Sequence, residues 1–284
     1  MQGKICLITG ATRGIGFVTA RELARQGAQV ILVGRDGPRA AEALRQIRAA
    51  APGAQPEALI ADLSSQAEVR RLAQDFSGRY PHLDVLVNNA GAMFVRRQES
   101  VDGIEMTLAL NHLAYFLLTY LLLDRLQAAP AGRVVNVSSA SHSGARLDFA
   151  DLQNRAAYRT MTAYGQSKLA NLYFTYELAR RLEGSRVTAN ALHPGFVASN
   201  FGASNGSLYR PLFWLAHRFA IPVEKGAGTV IYLASSPAVE GVSGKYFVHQ
   251  RAVRSSDASY DREAAARLWQ VSLEMTGRQE AQPR

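Results

Sequence analysis

Thr9-Gly10-Ala11-Thr12-Arg13-Gly14-Ile15-Gly16 is the stretch whose reading decides the fold. It follows an apolar run, Ile5-Cys6-Leu7-Ile8, and opens an apolar-periodic helix at about residue 15. Gly10 lets the chain turn sharply off the end of a strand. Gly14 lets backbone approach a pyrophosphate, and Gly16 lets the new helix pack close to the sheet. The free N–H groups and positive potential of a helix N-terminus complete an anion cradle formed with Thr12, Arg13 and Ile15. A Gly-rich strand–turn–helix without a ligand is the plain alternative. The triplet's position between a strand and a helix, at the head of a βαβ series, favours dinucleotide binding.

Outward from this loop, strand candidates at 4–9, 29–34, 57–61, 83–88, 132–138, 186–192 and 244–248 alternate with helical stretches. The latter fall at 15–26, 38–50, 65–78, 103–127, 161–183, 225–235 and 261–276. The nearly continuous apolar runs at 4–9, 83–88 and 132–138 are the pattern of strands covered on both faces. Alternation along the whole chain predicts an α/β fold with a parallel sheet and right-handed crossovers. No linker or repeat divides it, so residues 1–276 read as one domain, followed by a polar tail, 277–284, expected to fray.

The end of the second strand bears on cofactor choice. Gly34 stands where an NAD-preferring fold places an acid for the ribose 2′-hydroxyl, and Arg35 follows. Losing the acid removes repulsion of a 2′-phosphate, and Arg35 and Arg13 offer it cationic partners, so NADP(H) is favoured over NAD(H). Asp36 precedes Gly37-Pro38 and reads as a helix start. Asp62-Leu63 closes the third strand where an adenine would lie, unless Asp62 or Ser64 only caps the next helix.

Tyr164 and Lys168 stand at i and i+4 on one face of a predicted helix. Only four of the 32 basic residues are Lys, yet 168 is one of them. An ammonium there can bond a ribose and polarise the phenol. Asn136-Val137-Ser138-Ser139 closes the fifth strand, at the end of a parallel sheet where ligands sit. Tyr164 is expected to act as general base and acid, its pKa lowered by Lys168 and an oxidised nicotinamide, with Ser139 bonding the substrate oxygen. Taken singly, each residue has a bland reading: Ser139 ending a strand, or Tyr164 and Lys168 forming a solvated face.

These motifs, with Asn88-Asn89-Ala90-Gly91, Asn111 and Pro194-Gly195, occur in an order that resembles the short-chain dehydrogenase/reductase superfamily. The resemblance covers essentially the whole chain. It implies a single-domain Rossmann fold with a doubly wound, seven-stranded parallel sheet, and a tetrad of Asn111, Ser139, Tyr164 and Lys168. In that family the Asn holds a water that relays protons to the Lys. Asn89, Ala90 and Gly91 would line the cofactor, and Pro194, Gly195 and Val197 would meet the nicotinamide end. Ser199 would substitute for the Thr usual after Pro-Gly. A finer similarity to the retinol dehydrogenase and WW-domain oxidoreductase branch lies in Asp151-Leu152-Gln153, Ser167 to Asn171, His193-Pro194-Gly195, Ser243 to Phe247 and Leu268-Trp269. The wide Ser139–Tyr164 separation points the same way.

Composition narrows the alternatives. Net charge is +9, but the Arg residues are scattered without a stripe or tail, which argues against a nucleic-acid partner. The one cysteine, Cys6, reads as a small buried hydrophobe, and no Cys/His spacing suits a metal. His112, His142 and His193 read as structural histidines. The N-terminus is too short for a signal h-region, and Leu108 to Leu123 is broken by Asn111 and His112. A cytoplasmic protein without a membrane span is expected. The apolar helices at 103–127 and 161–183 predict a homodimer or homotetramer. Phe201, Leu208, Tyr209, Leu212, Phe213, Trp214, Leu215 and Phe219 suggest a lid over a hydrophobic pocket, with Met93 and Phe94 opposite. The substrate class expected is therefore a small hydrophobic carbonyl or alcohol. The competing reading is a catalytically silent NADPH-binding regulator.

Overall fold

The computed structural model describes residues 1–197 and 221–279. Seven strands run parallel: β1 (Ile5–Thr9), β2 (Gln29–Gly34), β3 (Glu57–Ile60), β4 (Val85–Asn88), β5 (Arg133–Val137), β6 (Thr188–His193) and β7 (Tyr246–Val248). With β8 (Arg251–Val253), which pairs antiparallel to β7, they form one sheet in the order β3-β2-β1-β4-β5-β6-β7-β8. The sheet thus has one strand more than the expected seven. The sequence conceals β8 because its three residues are all exposed and show no alternation. His249 and Gln250 join β7 to β8 with φ of 49° and 63°, the left-handed backbone that a two-residue hairpin turn needs.

The helices are α1 (Gly14–Arg25), α2 (Gly37–Ala50), α3 (Gln66–Arg79), α4 (Met106–Leu108), α5 (Ala114–Leu121), α6 (Leu123–Gln127), α7 (Thr160–Arg181), α8 (Val223–Ser235) and α9 (Arg262–Met275). The single helix expected over 103–127 is instead three pieces, with one π turn, Ala109–Leu113, between α4 and α5. Alternation along β1 explains its all-apolar sequence. Ile5 and Leu7 face α3, α5 and α7, whereas Cys6 and Ile8 face α1, α2 and α8. Both layers bury their contact faces, which supplies the main favourable free energy. Burial also pushes the Cys6 thiol up, in keeping with its reading as a small hydrophobe.

On the α5 side, Phe116 meets Trp269 edge-on at 5.0 Å and Phe174 at 5.7 Å. Tyr115, Phe116, Leu117 and Leu118 are each 1% exposed, so this apolar run is consumed inside the chain. No helix among the described residues is long and apolar enough to cross a membrane. At the carboxyl end, Tyr120 donates to Gln279 O at 2.8 Å and Arg278 N to Leu273 O at 2.8 Å, tying down the start of the polar tail.

The order places a topological switch between β1 and β4, whose connections leave toward opposite faces and open a crevice at their carboxyl ends. Thr9 holds that point together. Its Oγ1 accepts from Asn89 N at 2.8 Å and Ala90 N at 3.0 Å, and donates to Val87 O at 3.2 Å. Thr9→Val keeps the shape but strands two amides, so urea unfolding should show a loss of about 2–3 kcal/mol. A midpoint shift too small to resolve would mean water replaces the hydroxyl.

His112, in the π turn, is fully buried, and burial pushes its pKa down to about 4. The unfolded chain takes up this proton and the folded chain resists it, so stability falls as pH drops from about 6.5 toward 4, by up to about 3 kcal/mol. His112→Gln should flatten that part of the stability-versus-pH curve measured by chemical denaturation.

Candidate active site

The loop after β1 leaves no space for side chains. A Cβ on Gly10 would lie 2.9 Å from Ala90 Cα, and one on Gly16 would lie 2.5 Å from Gly10 O and 2.6 Å from Asn89 Nδ2. Gly14 opens α1 with a φ of 59°, and no side chain caps the helix at Arg13. The residues present therefore fit a dinucleotide: Thr12, Arg13, Ile15 and the glycines form a backbone-walled turn against an uncapped helix N-terminus.

At the end of β2, Gly34 has a steric reason as well as an electrostatic one, because a Cβ there would meet Thr12 Cγ2 at 2.5 Å. Asp36 caps α2, accepting from Arg39 N at 3.0 Å, as its sequence context predicts. Its other oxygen lies 3.3 Å from Arg39 Nε. Arg13 feels both Arg39 and Arg35, and together with partial burial they lower its pKa. Three guanidinium groups thus gather at this corner with one carboxylate. Arg39 escaped the sequence reading; its cue was a basic residue three positions after a capping Asp. Asp62 accepts from Ser64 N at 2.9 Å and Ser64 Oγ at 2.7 Å, while Ser65 caps α3, so neither Asp62 nor Ser64 is that helix's cap. Leu63 is buried beside them.

After β4, Asn89 Nδ2 donates to Thr9 O at 2.8 Å and Gly10 O at 3.3 Å, fixing the crevice floor. Asn88 ties β4 to β5 through Asn136 Oδ1 at 2.9 Å. Ala90 is buried, and a Cβ on Gly91 would point at Asn111 Oδ1, 3.2 Å away, and Lys168 Nζ, 3.6 Å away. Gly91 thereby lets the Asn111 and Lys168 side chains approach the same strand end.

Asn111 sits in the π turn, a device common at functional sites. Its side chain clamps Ala92, accepting from the amide at 2.9 Å and donating to the carbonyl at 2.9 Å. It also donates to Ser167 Oγ at 3.1 Å, and Ser167 donates to Tyr164 O at 2.7 Å. Lys168 Nζ donates to Val137 O at 3.1 Å, and Ser138 Oγ, donating to Lys168 O at 2.8 Å, docks α7 on β5. Lys168 Nζ lies between two phenol rings, 5.6 Å from the Tyr164 centroid and 5.8 Å from that of Tyr115. The Ser139 hydroxyl reaches the Tyr164 hydroxyl, and it also accepts from Ser141 N at 3.2 Å. All four tetrad residues therefore converge beyond the carboxyl ends of β4 and β5. Ser167 and Tyr115 belong to the same cluster. Ser167 was legible one helical turn beyond Tyr164, whereas Tyr115 reads as one more apolar core residue.

In this structure burial is the largest influence on the acidities of the pair. Burial pushes the Tyr164 phenol up to about 12, and only its bond with Ser139 pulls it back. The same burial pushes the Lys168 ammonium down to about 7. A neighbouring Lys in the sequence says nothing about how dry the pair is, and here desolvation outweighs attraction between the charged forms.

Beyond β6, Gly195 has a φ of 89° and a Cβ on it would meet Ile221 Cδ1 at 2.6 Å. Pro194 and Gly195 are half-buried, and Val197 packs so closely on Gly226 of α8 that a Cβ there would lie 2.5 Å from its Cγ2. Ser199 and the aromatic and leucine positions from Phe201 to Phe219 lie outside the described residues. Phe94 is buried and Met93 half-buried. Among the described residues, no group of three or more His, Cys, Asp or Glu could hold a metal ion.

Comparison with known proteins agrees with this geometry. The family model described as short chain dehydrogenase matches residues 4–207. Mouse retinol dehydrogenase 14 is 45% identical, with 98% of this chain and 87% of that protein covered. Human polyprenol dehydrogenase is 40% identical, over 96% and 85%. Among solved structures, an uncharacterized protein from Mycobacterium paratuberculosis superposes with a TM-score of 0.80 at 36% identity, covering 99% of this chain and 96% of that one. A short chain dehydrogenase from Escherichia coli complexed with NADPH superposes with a TM-score of 0.69 at 26% identity, over 88% and 98%. On these grounds the chain belongs to the short-chain dehydrogenase family of oxidoreductases and is retinol dehydrogenase-like.

Proposed function

We propose that the protein is an NADP(H)-dependent oxidoreductase acting on a hydrophobic carbonyl or alcohol, with Tyr164 as the general acid and base. The observation that carries this reading is the meeting of the Tyr164 and Ser139 hydroxyls beside the buried Lys168 ammonium, at the sheet end bearing the glycine cradle. When bound, the nicotinamide supplies the site that gives or takes hydride and, in its oxidised form, a positive charge that favours phenolate. Tyr164 donates its proton to the substrate oxygen in reduction and takes it back in oxidation. A phenol held protonated by burial has a proton to give to a carbonyl oxygen. Ser139 holds the substrate oxygen against Tyr164. Lys168 stabilises the phenolate and offers donors to a ribose, and Asn111 keeps the 91–92 backbone in place beside it.

Arg13, Arg35 and Arg39 support the 2′-phosphate of NADP(H), since three like charges with one acid between them gain most from an added anion. A hydrophobic substrate is supported by the names of the retinol and polyprenol dehydrogenase relatives.

NADPH consumption across a carbonyl panel tests the chemistry. Tyr164→Phe should lower kcat by about a thousandfold or more while leaving NADPH affinity within about threefold. Activity that survives the substitution rejects the mechanism; NADPH binding without turnover of any carbonyl would favour the silent regulator. In fluorescence titrations NADPH should bind at least about tenfold tighter than NADH, and Arg13→Ala or Arg39→Ala should weaken NADPH alone. Equal affinity for the two coenzymes would remove the 2′-phosphate assignment and leave the acid–base reading intact.

A further inference from the structure

The peptide unit between Ser139 and Ala140 is held at both ends by imidazoles. Its carbonyl oxygen, Ser139 O, lies 2.6 Å from His142 Nδ1. Its amide, Ala140 N, donates to His193 Nδ1 at 3.2 Å. A carbonyl can only accept, so His142 must carry hydrogen on Nδ1. The same ring accepts from Ser256 N through Nε2 at 3.2 Å, which makes it neutral. His193, accepting through Nδ1, must carry its hydrogen on Nε2. The two rings therefore require opposite tautomers.

We infer that His142 and His193 are a pair of positioning residues: they lock the Ser139–Ala140 peptide plane and thereby aim the Ser139 hydroxyl at Tyr164. The inference rests on the role given to Ser139 above. The clamp draws on three separate segments. His142 lies in the short turn after β5, His193 ends β6, and Ser256 follows β8. The eighth strand thus has a task, because its hairpin brings Ser256 back over the site. His142 is 2% exposed and packs edge-on against Tyr246 at 5.1 Å, so neither water nor another rotamer readily replaces its contacts. The Ser139 side chain needs this support. Its hydroxyl accepts from Ser141 N, and a rotation of the intervening peptide would carry that amide away and free the hydroxyl to leave the phenol for another rotamer.

The clamp works only with both rings neutral. A proton on His193 Nδ1 would face the Ala140 N–H, and one on His142 Nε2 would face the Ser256 N–H. The titratable groups around the pair are each other, His249 in the β7–β8 turn and Tyr246 on β7. Burial holds both rings below the usual imidazole range, and His193 is lowered further by His142 and His249. The lock therefore holds at neutral pH and opens on acidification below that range.

Two measurements test it. Long-range 1H–15N spectra of protein carrying 15N-histidine, at pH 7.5, should show His142 protonated on Nδ1 alone and His193 on Nε2 alone. The same tautomer on both rings, or a charged ring, overturns the clamp. In turnover of a carbonyl, His142→Leu and His193→Leu should lose about tenfold or more in kcat, with KM and NADPH affinity within about twofold. His142→Asn and His193→Asn place an amide donor or acceptor where Nδ1 was. They should recover kcat to within about threefold and lose the imidazole's contribution to the acid limb of the pH profile. Leu and Asn variants that behave alike reject the inference. The spectra need no turnover, so a wild type inactive on every carbonyl would sink the oxidoreductase reading while the tautomers still decide the clamp.

Discussion

Everything at the functional end of this molecule hangs on the way one hydroxyl, that of Thr9, joins the ends of β1 and β4. Parallel strands whose crossovers leave toward opposite faces must part at their carboxyl ends, and the gap exposes backbone amides of both. Thr9 Oγ1 takes two amides from the turn after β4, those of Asn89 and Ala90, and gives its own hydrogen to Val87 O of β4. Asn89 closes the circuit from the other side, donating to Thr9 O and Gly10 O. The glycine turn is thereby pressed against Ala90, and at Gly10 and Gly16 the cradle is walled by backbone with no room for a side chain. Such preorganisation matters because a donor already fixed in place need not reorganise when an anion arrives.

Beside that cradle the chain places a positive charge and two phenols where water scarcely reaches. The Lys168 ammonium has one strong partner, Val137 O, and two aromatic faces. Burial works against the charged form of both Lys168 and Tyr164. A site of this kind is sensitive to any charge brought into it, because little solvent is left to screen the newcomer. The docking of α7 on β5, through Ser138 and Lys168, therefore sets the chemistry as well as the packing.

Much of this could be read from the residues, and the exceptions have physical causes. The strands covered on both faces announced themselves because nothing polar fits between two helical layers, as Ile5 to Ile8 show. The glycines of the loop were legible because each marks a place where a Cβ collides or φ turns positive. The π turn around Asn111 was not, since its apolar spacing is the same as that of an α-helix carried straight through. β8 was lost because an exposed three-residue edge strand has no buried face to imprint a period. Tyr164 and Lys168 were found as a pair, but the depth of their burial was not, because neighbours are written in a sequence and desolvation is not. Histidines 142 and 193 looked like ordinary core residues, and only their convergence on a single peptide sets them apart.

Thr12 and Gly34 carry one more consequence. The methyl of Thr12 occupies the space that any side chain at 34 would enter, so the two positions are sterically one unit. An aspartate written at 34 would therefore have to displace the Thr12 methyl. Trimming residue 12 to glycine or alanine opens that space, so substitutions at the two positions are coupled and their effects do not simply add.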